Sequence, residues 1–283
     1  MLLPTPLALF ALVPTWCAIA WLDHAALTRL HEAAHGTLAK PRWLNELVGI
    51  FIGTASLTPL SVYRHVHHRH HAHLAGPDDP EFWPYNLPDA PRWIRLTYAW
   101  LELAIGWIFT PLLYSVRTAR ELPSTKPARQ RWLIAEWCIL LLAWGALLWL
   151  VIDLGWWPYF VVGHLAPAWL AGSLQTLRKF TEHLGLAGDT ILAMTRTVAY
   201  TGRIGRAASK TQLHVEHHGT HHRRARIPWN ELPDVTPTVY NTGDEGPLFS
   251  NHLAAVCDML PHLLDPKVGP QWTRANIRGC VAP

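Results

Sequence analysis

The 283-residue chain is half hydrophobic, carries 16 Trp and 18 His, and has only 16% charged residues. This balance excludes disordered and ordinary soluble classes and points to a membrane protein, which we read as one domain over residues 1–283. The formal charge of +4 comes from loops that flank apolar zones and joins no recognition motif, so nucleic acid is excluded as a partner.

Leu2 to Leu22 is long enough to cross a hydrocarbon core of ~30 Å. It lacks the positive start of a cleaved signal peptide, so it is expected to stay as an anchor. His31-Glu32-Ala33-Ala34-His35 follows, with two imidazoles four residues apart. The next apolar stretch, Leu44 to Val62, contains Asn45, Glu46, Thr54, Ser56, Thr58 and Pro59, which suits an interfacial or re-entrant segment. A dense cluster runs from His65 to His73, with His67, His70 and His71 in H-x-x-H-H spacing. A further apolar stretch, Trp93 to Val116, is bordered or interrupted by Arg92, Arg95 and Glu102.

Trp132 to Ile152 and Tyr159 to Leu177 form a predicted helical hairpin around Asp153-Leu154-Gly155-Trp156-Trp157-Pro158. No Lys or Arg lies between Arg131 and Arg178, while Arg117, Arg120, Lys126, Arg129, Arg131, Arg178 and Lys179 flank the open end. The positive-inside rule puts that end in the cytoplasm. From Arg178 onwards the chain is polar and loop-rich, and it holds a third cluster: His214, His217, His218, His221 and His222. Cys17, Cys138, Cys257 and Cys280 are scattered and exclude a disulfide framework or a zinc ribbon.

If the three clusters build one site, each pair is separated by an even number of crossings. Leu44–Val62 and Trp93–Val116 are then expected not to cross. The expected fold is an all-α integral membrane protein with about three spans, near 2–22, 132–152 and 159–177. Interfacial helices and a cytoplasmic cap (23–131 and 178–283) would carry the histidines.

On a helix, residues i, i+3 and i+4 share a face, so an H-x-x-H-H triple sends three imidazoles towards one point. His24, His164, His252 and His262 stand apart and read as ordinary polar residues. His31 to His35 also matches the zinc protease pattern H-E-x-x-H, with Glu32 as base. One zinc needs only three protein ligands, which would leave two clusters idle. Eight or nine imidazoles imply two ions, and nitrogen ligation with open positions favours iron and oxygen chemistry. In the third cluster both His214-x-x-His217-His218 and His218-x-x-His221-His222 satisfy the spacing, because offsets 0, 3, 4, 7 and 8 all share one face. Glu32, Asp78, Asp79, Glu81, Glu182 and Glu216 lie beside the clusters and can hold the outer nitrogens of metal-bound rings.

Taken together, HEAAHG, YRHVHHRHHAHLAGPDDPE and the third cluster running into IPWNELP resemble the three histidine boxes of the membrane fatty-acid desaturase and hydroxylase superfamily. The resemblance covers about Leu2 to Leu232. It implies two non-haem irons, O2 as co-substrate and a lipid or acyl substrate. It also implies electrons from an external ferredoxin or cytochrome b5-type carrier, and a site on the cytoplasmic side of a bacterial inner membrane. Desaturation is the leading activity, hydroxylation or ketolation of an alkane or carotenoid its nearest rival, and intramembrane zinc proteolysis a distant third. Family members place an Ile-Pro or Val-Pro shortly after the paired histidines. Ile227-Pro228 keeps that distance from His222, which selects His218, His221 and His222 and leaves His214 and His217 as spares. The family also uses a histidine between the last span and box three, here His183. Acyl-CoA desaturases carry a water-holding Asn one turn before it, where this chain has Lys179. The implied ligands are His31, His35, His67, His70, His71, His183, His218, His221 and His222.

Overall fold

A computed structural model describes residues 6–241 and 245–272. Residues 2–5 of the first expected span and Cys280 in the tail lie outside these. The fold is all-α, apart from one two-residue parallel pairing, Thr197–Val198 (β1) with Leu248–Phe249 (β2). Helix α1 (Pro6–His35) continues well beyond Leu22, so the expected anchor and the first histidine pair share one helix. It stops at Gly36, whose φ of +77° suits a residue without a Cβ. The freed carbonyls of its last turn are claimed at once. Asn45 and Arg64 donate to Ala33 O, and Arg64 also donates to Ala34 O while gripping Glu46 with both arms. These bonds fix α2 (Arg42–Ala55) and α3 (Leu60–His73) against the end of α1. Between α2 and α3 the chain bends by 99°, the geometry of a broken span or a re-entrant segment, as the polar residues around Pro59 suggested.

Helix α4 (Arg92–Glu121) covers the apolar stretch Trp93–Val116. By length and composition it can cross a membrane, as can Phe10–His35 and α5 (Pro127–Asp153). The charges that argued against it are paired inside the protein. Arg95 bonds Asp265 and Pro266 O, and Glu102 receives Lys179 and the Tyr85 hydroxyl. The expected span 159–177 is helical but not uniform. A short helix α6 (Trp157–Phe160) passes through a wide π turn, Val161–Leu165, into α7 (Ala166–His183).

Helix α7 is the central post and packs on both α1 and α4. Gly172 allows the α4 approach, because a Cβ there would lie 2.5 Å from the Trp107 side chain. Opposite it, α4 kinks at Ile105 (φ −137°, ψ 28°). The carbonyls released by the kink are satisfied from α7: Thr176 donates to Glu102 O at 2.9 Å, and the Trp169 indole donates to Ala104 O. The polar remainder folds over the ends of α1, α3 and α7 as α8 (Arg203–Thr211), α9 (His218–Arg223), α10 (Leu232–Tyr240) and α11 (His252–Met259). Buried Arg196 clamps this cover by donating to Thr181 O, Leu184 O and Asp258.

The Lys179–Glu102 pair sits buried between α4 and α7, so the two residues should be energetically coupled. Lys179→Met alone strands a buried carboxylate and should cost about 3–5 kcal/mol. Glu102→Leu combined with Lys179→Met should recover most of that loss. Thermal melting of the purified single and double variants measures this, and simple additivity of the two changes would contradict it.

Candidate metal centre

The structure gathers all nine sequence-predicted ligands into two adjoining groups. His31, His35, His67, His71 and His221 form one, and His70, His183, His218 and His222 form the other. Within each group the donor atoms lie within 4.8 Å of one another. The split follows helix geometry. On α3, His67 and His71 are four apart and face the first group, while His70 turns to the second. On α9, His218 and His222 are four apart and face the second group, while His221 turns to the first. Both boxes therefore bridge the two groups, with the His71 and His222 rings stacked at 4.1 Å between them.

The donor set fits metal ions in number and in spacing. Inner nitrogens approach at 3.0 Å (His35–His67), 3.1 Å (His67–His71) and 3.2 Å (His71–His221) in the first group. In the second they approach at 2.7 Å (His183–His218) and 3.0 Å (His218–His222). Two nitrogens bound to one ion at about 2.1 Å are about 3.0 Å apart at a right angle and about 3.4 Å apart at the tetrahedral angle. The observed spacings are those of nitrogens close enough to share an ion. Burial also pushes His183, His218, His221 and His222 well below the ordinary imidazole range, which keeps the rings neutral and their lone pairs available.

The outer nitrogens are held from behind. His70 Nδ1 meets Asp79 at 2.7 Å, His67 Nδ1 meets Glu81 at 3.2 Å, and His31 Nδ1 meets Glu32 at 3.2 Å. His183 Nδ1 donates to Met194 O at 2.9 Å, and Glu182 stands 3.5 Å from His218 Nδ1. Such contacts orient ligand rings and raise their basicity. Asp79 organises the whole turn after α3, since its carboxylate also accepts from Ala75 N and Glu81 N. Three of the six acids proposed from the sequence make no such bond, and Glu182, although near His218, accepts instead from Arg178 at 2.7 Å. Asp78 is exposed and gives only its carbonyl, to Arg69. Glu216 turns instead to the Ser209 hydroxyl. Glu32 sits behind the His31 ring and accepts from Thr37 at 2.6 Å, a poor position for a protease base.

The register of box three follows from the backbone. Leu213 and His214 both have left-handed φ, +53° and +54°, so His214 and His217 lie in a turn before α9 and off its histidine face. They associate with Glu216, while hydroxyls of Ser209 and Thr236 meet their Nδ1 atoms. Lys179, where relatives were expected to carry Asn, is tied to Glu102 and lies over the Phe82 and Phe180 rings.

Apolar span residues with many Trp are expected from the sequence to line a tunnel for a long chain, but its position beside the histidines is set only by the fold. A void of about 10 Å³ touches His31, His67, His70, His183 and His218. It shares Tyr63, Glu81, Gln175 and Lys179 with a cavity of about 340 Å³ that runs between α1, α4 and α7, lined by residues such as Leu27, Leu30, Ile52, Trp107 and Trp144. One signal was available: Tyr63 lies one helical turn before His67 and stacks on its ring at 5.2 Å.

A family model described as fatty acid desaturase matches residues 6–253. The bifunctional fatty acid conjugase/Delta(12)-oleate desaturase of Punica granatum is 27% identical over 119 residues, which is 38% of this chain and 29% of that protein. The sn-1 oleoyl-lipid 12-desaturase of Picosynechococcus is 24% identical over 107 residues, 35% of this chain and 30% of that protein. The Delta(9) fatty acid conjugase-like enzyme of Dimorphotheca sinuata is 37% identical over 62 residues, 20% of this chain and 16% of that protein. The chain thus spans less than a third of the length of each of these relatives.

Glu216 makes a measurable contribution to pH dependence. Burial pushes its carboxyl up to about 7 from 4.5, against the opposing Ser209 hydroxyl and Arg178. A raised folded value favours the folded state fully below about 4.5, and that contribution is lost as the pH rises through about 7. Glu216→Gln should therefore gain melting temperature relative to the native protein at pH 8 but not at pH 5. An equal shift at both pH values would contradict this.

Proposed function

This chain belongs to the fatty acid desaturase family, and on that premise we propose that it is an O2-dependent membrane oxidoreductase that desaturates the hydrocarbon chain of a lipid or fatty-acyl substrate. The observation that carries the reading is the pair of histidine groups at the end of a mainly apolar cavity. One iron would be held by His31, His35, His67, His71 and His221, and the other by His70, His183, His218 and His222. The bound pair would supply the oxidising power: O2, two electrons and two protons take up two hydrogens from neighbouring carbons, leaving an alkene and two waters.

The protein's own residues position the chain and protect the site. The cavity wall of α1, α4 and α7 takes a hydrocarbon out of water and holds one methylene near the histidines. Tyr63, Gln175 and Lys179 line the passage between cavity and histidines, and these polar groups face the reacting segment. Asp79, Glu81 and Glu32 keep the imidazole N–H groups turned outward, which leaves the inner nitrogens free to ligate. Electrons would arrive from a separate ferredoxin or cytochrome b5-type carrier. The exposed basic residues before and at the start of α5, Arg120, Lys126, Arg129 and Arg131, support an acidic partner docking on the cytoplasmic side of a bacterial inner membrane.

The purified protein is expected to carry two irons per chain, and one zinc per chain would overturn the proposal. Expression in a host with a defined lipid profile should yield a new alkene-containing lipid, read by mass spectrometry. A new alcohol in its place would point to the hydroxylase reading. His70→Ala should lose iron and abolish the product, whereas His214→Ala should retain both irons.

A further inference from the structure

The far end of the main cavity has two ionisable side chains where a plain alkyl chain needs none. Asp23 lies midway along Phe10–His35, a helix long and apolar enough to span a membrane, and it faces the cavity. Carboxylates at such depth are costly, and they persist where they face a protein interior and have work to do. Among the described residues the Asp23 carboxylate has no hydrogen-bond partner, and His164 interacts with it electrostatically. His164 lines the same cavity from the π turn Val161–Leu165, a distortion that commonly re-aims side chains at functional sites. The His164 ring is held between Trp144 at 5.6 Å and Phe160 at 5.1 Å. The Trp144 indole is itself anchored to Thr54 O at 2.8 Å. The sequence offered nothing of this, and His164 read there as an ordinary polar residue.

Between this pair and the histidine groups the α1 wall is apolar: Ala26, Leu27 and Leu30. Asp23 precedes His31 by eight residues, about 12 Å of helical rise. A terminal methyl placed against Asp23 and His164 would desolvate both without replacing their hydrogen bonds. A hydroxyl would satisfy both, donating its proton to the carboxylate and accepting from the imidazole N–H. Resting on the lipid-oxidising reading above, we infer that the substrate is a hydrocarbon chain bearing a hydroxyl group, bound by Asp23 and His164 about 12 Å along the cavity from the carbon that is oxidised.

The hydroxyl can be the head group of a long-chain alcohol or a substituent at the far end of an acyl chain, and two matched pairs separate these sources. Iron-loaded protein in nanodiscs, without reductant, is titrated with a 1-alkanol and its parent alkane, then with an ω-hydroxy fatty acid and its parent acid. One charge-assisted hydrogen bond corresponds to roughly tenfold tighter binding. The hydroxylated member of one pair should show that preference, and which pair shows it identifies the source. Asp23→Leu and His164→Phe should each bring the ratio to about one. Equal binding by the native protein in both pairs overturns the inference, as does a preference that survives in both variants. Because binding is read without turnover, failure of the oxidative reading would appear separately, as no oxidised product from any ligand once reductant is added.

Discussion

The constraint on which the structure depends is that many neutral imidazoles must bring lone pairs to within about 3 Å of one another inside the protein. Charged rings would repel at that distance, and burial disfavours the charge on His218 and His222. Neutrality does not choose which nitrogen faces inward. That choice is made from outside, by Asp79, Glu81, Glu32 and the Met194 carbonyl, each taking an outer nitrogen. Glu32 of HEAAH and Asp79 and Glu81 of DDPE are thus part of the centre. The same geometry separates this arrangement from a zinc protease, whose glutamate would have to face the metal.

Bringing four chain segments to one place requires rigid supports around it. The end of α1 is held by Arg64 and Asn45, the turn after α3 by Asp79, and the cover over the site by Arg196. Helix α7 delivers His183 and also forms one wall of the cavity. Its close fit to α4 depends on Gly172 and on the Ile105 kink, whose freed carbonyls are met by Thr176 and Trp169. The Lys179–Glu102 pair crosses the same contact just beside the histidines. Site and cavity therefore share a framework, and a change in the α4–α7 packing is felt at both.

Much of the site was legible in the chain because helical spacing is a local property. Offsets of three and four residues put imidazoles on one face whatever the helix packs against, so boxes one and two could be read directly. Box three was readable only in part. Its five histidines all suit one helix face, but the left-handed residues Leu213 and His214 start the helix late and remove His214 and His217 from it. The membrane topology was less legible. Arg95 and Glu102 make Trp93–Val116 read as polar, but their charges are answered by Asp265 and Lys179, 170 and 77 residues away in the chain.

By itself the sequence determined an all-α membrane chain with three histidine clusters, because composition and short-range periodicity carry that information, while His183 and the choice within the third cluster came only with the family resemblance. Only the tertiary structure decided how the nine histidines divide into two groups, which acids stand behind them, and where the cavity runs. Those depend on distances between segments far apart in sequence, set by the bend before α3, the kink in α4 and the close passage of α7. The ionisable end of the cavity is the clearest instance. Asp23 and His164 carry no motif, and only the folding together of two apolar helices makes them neighbours.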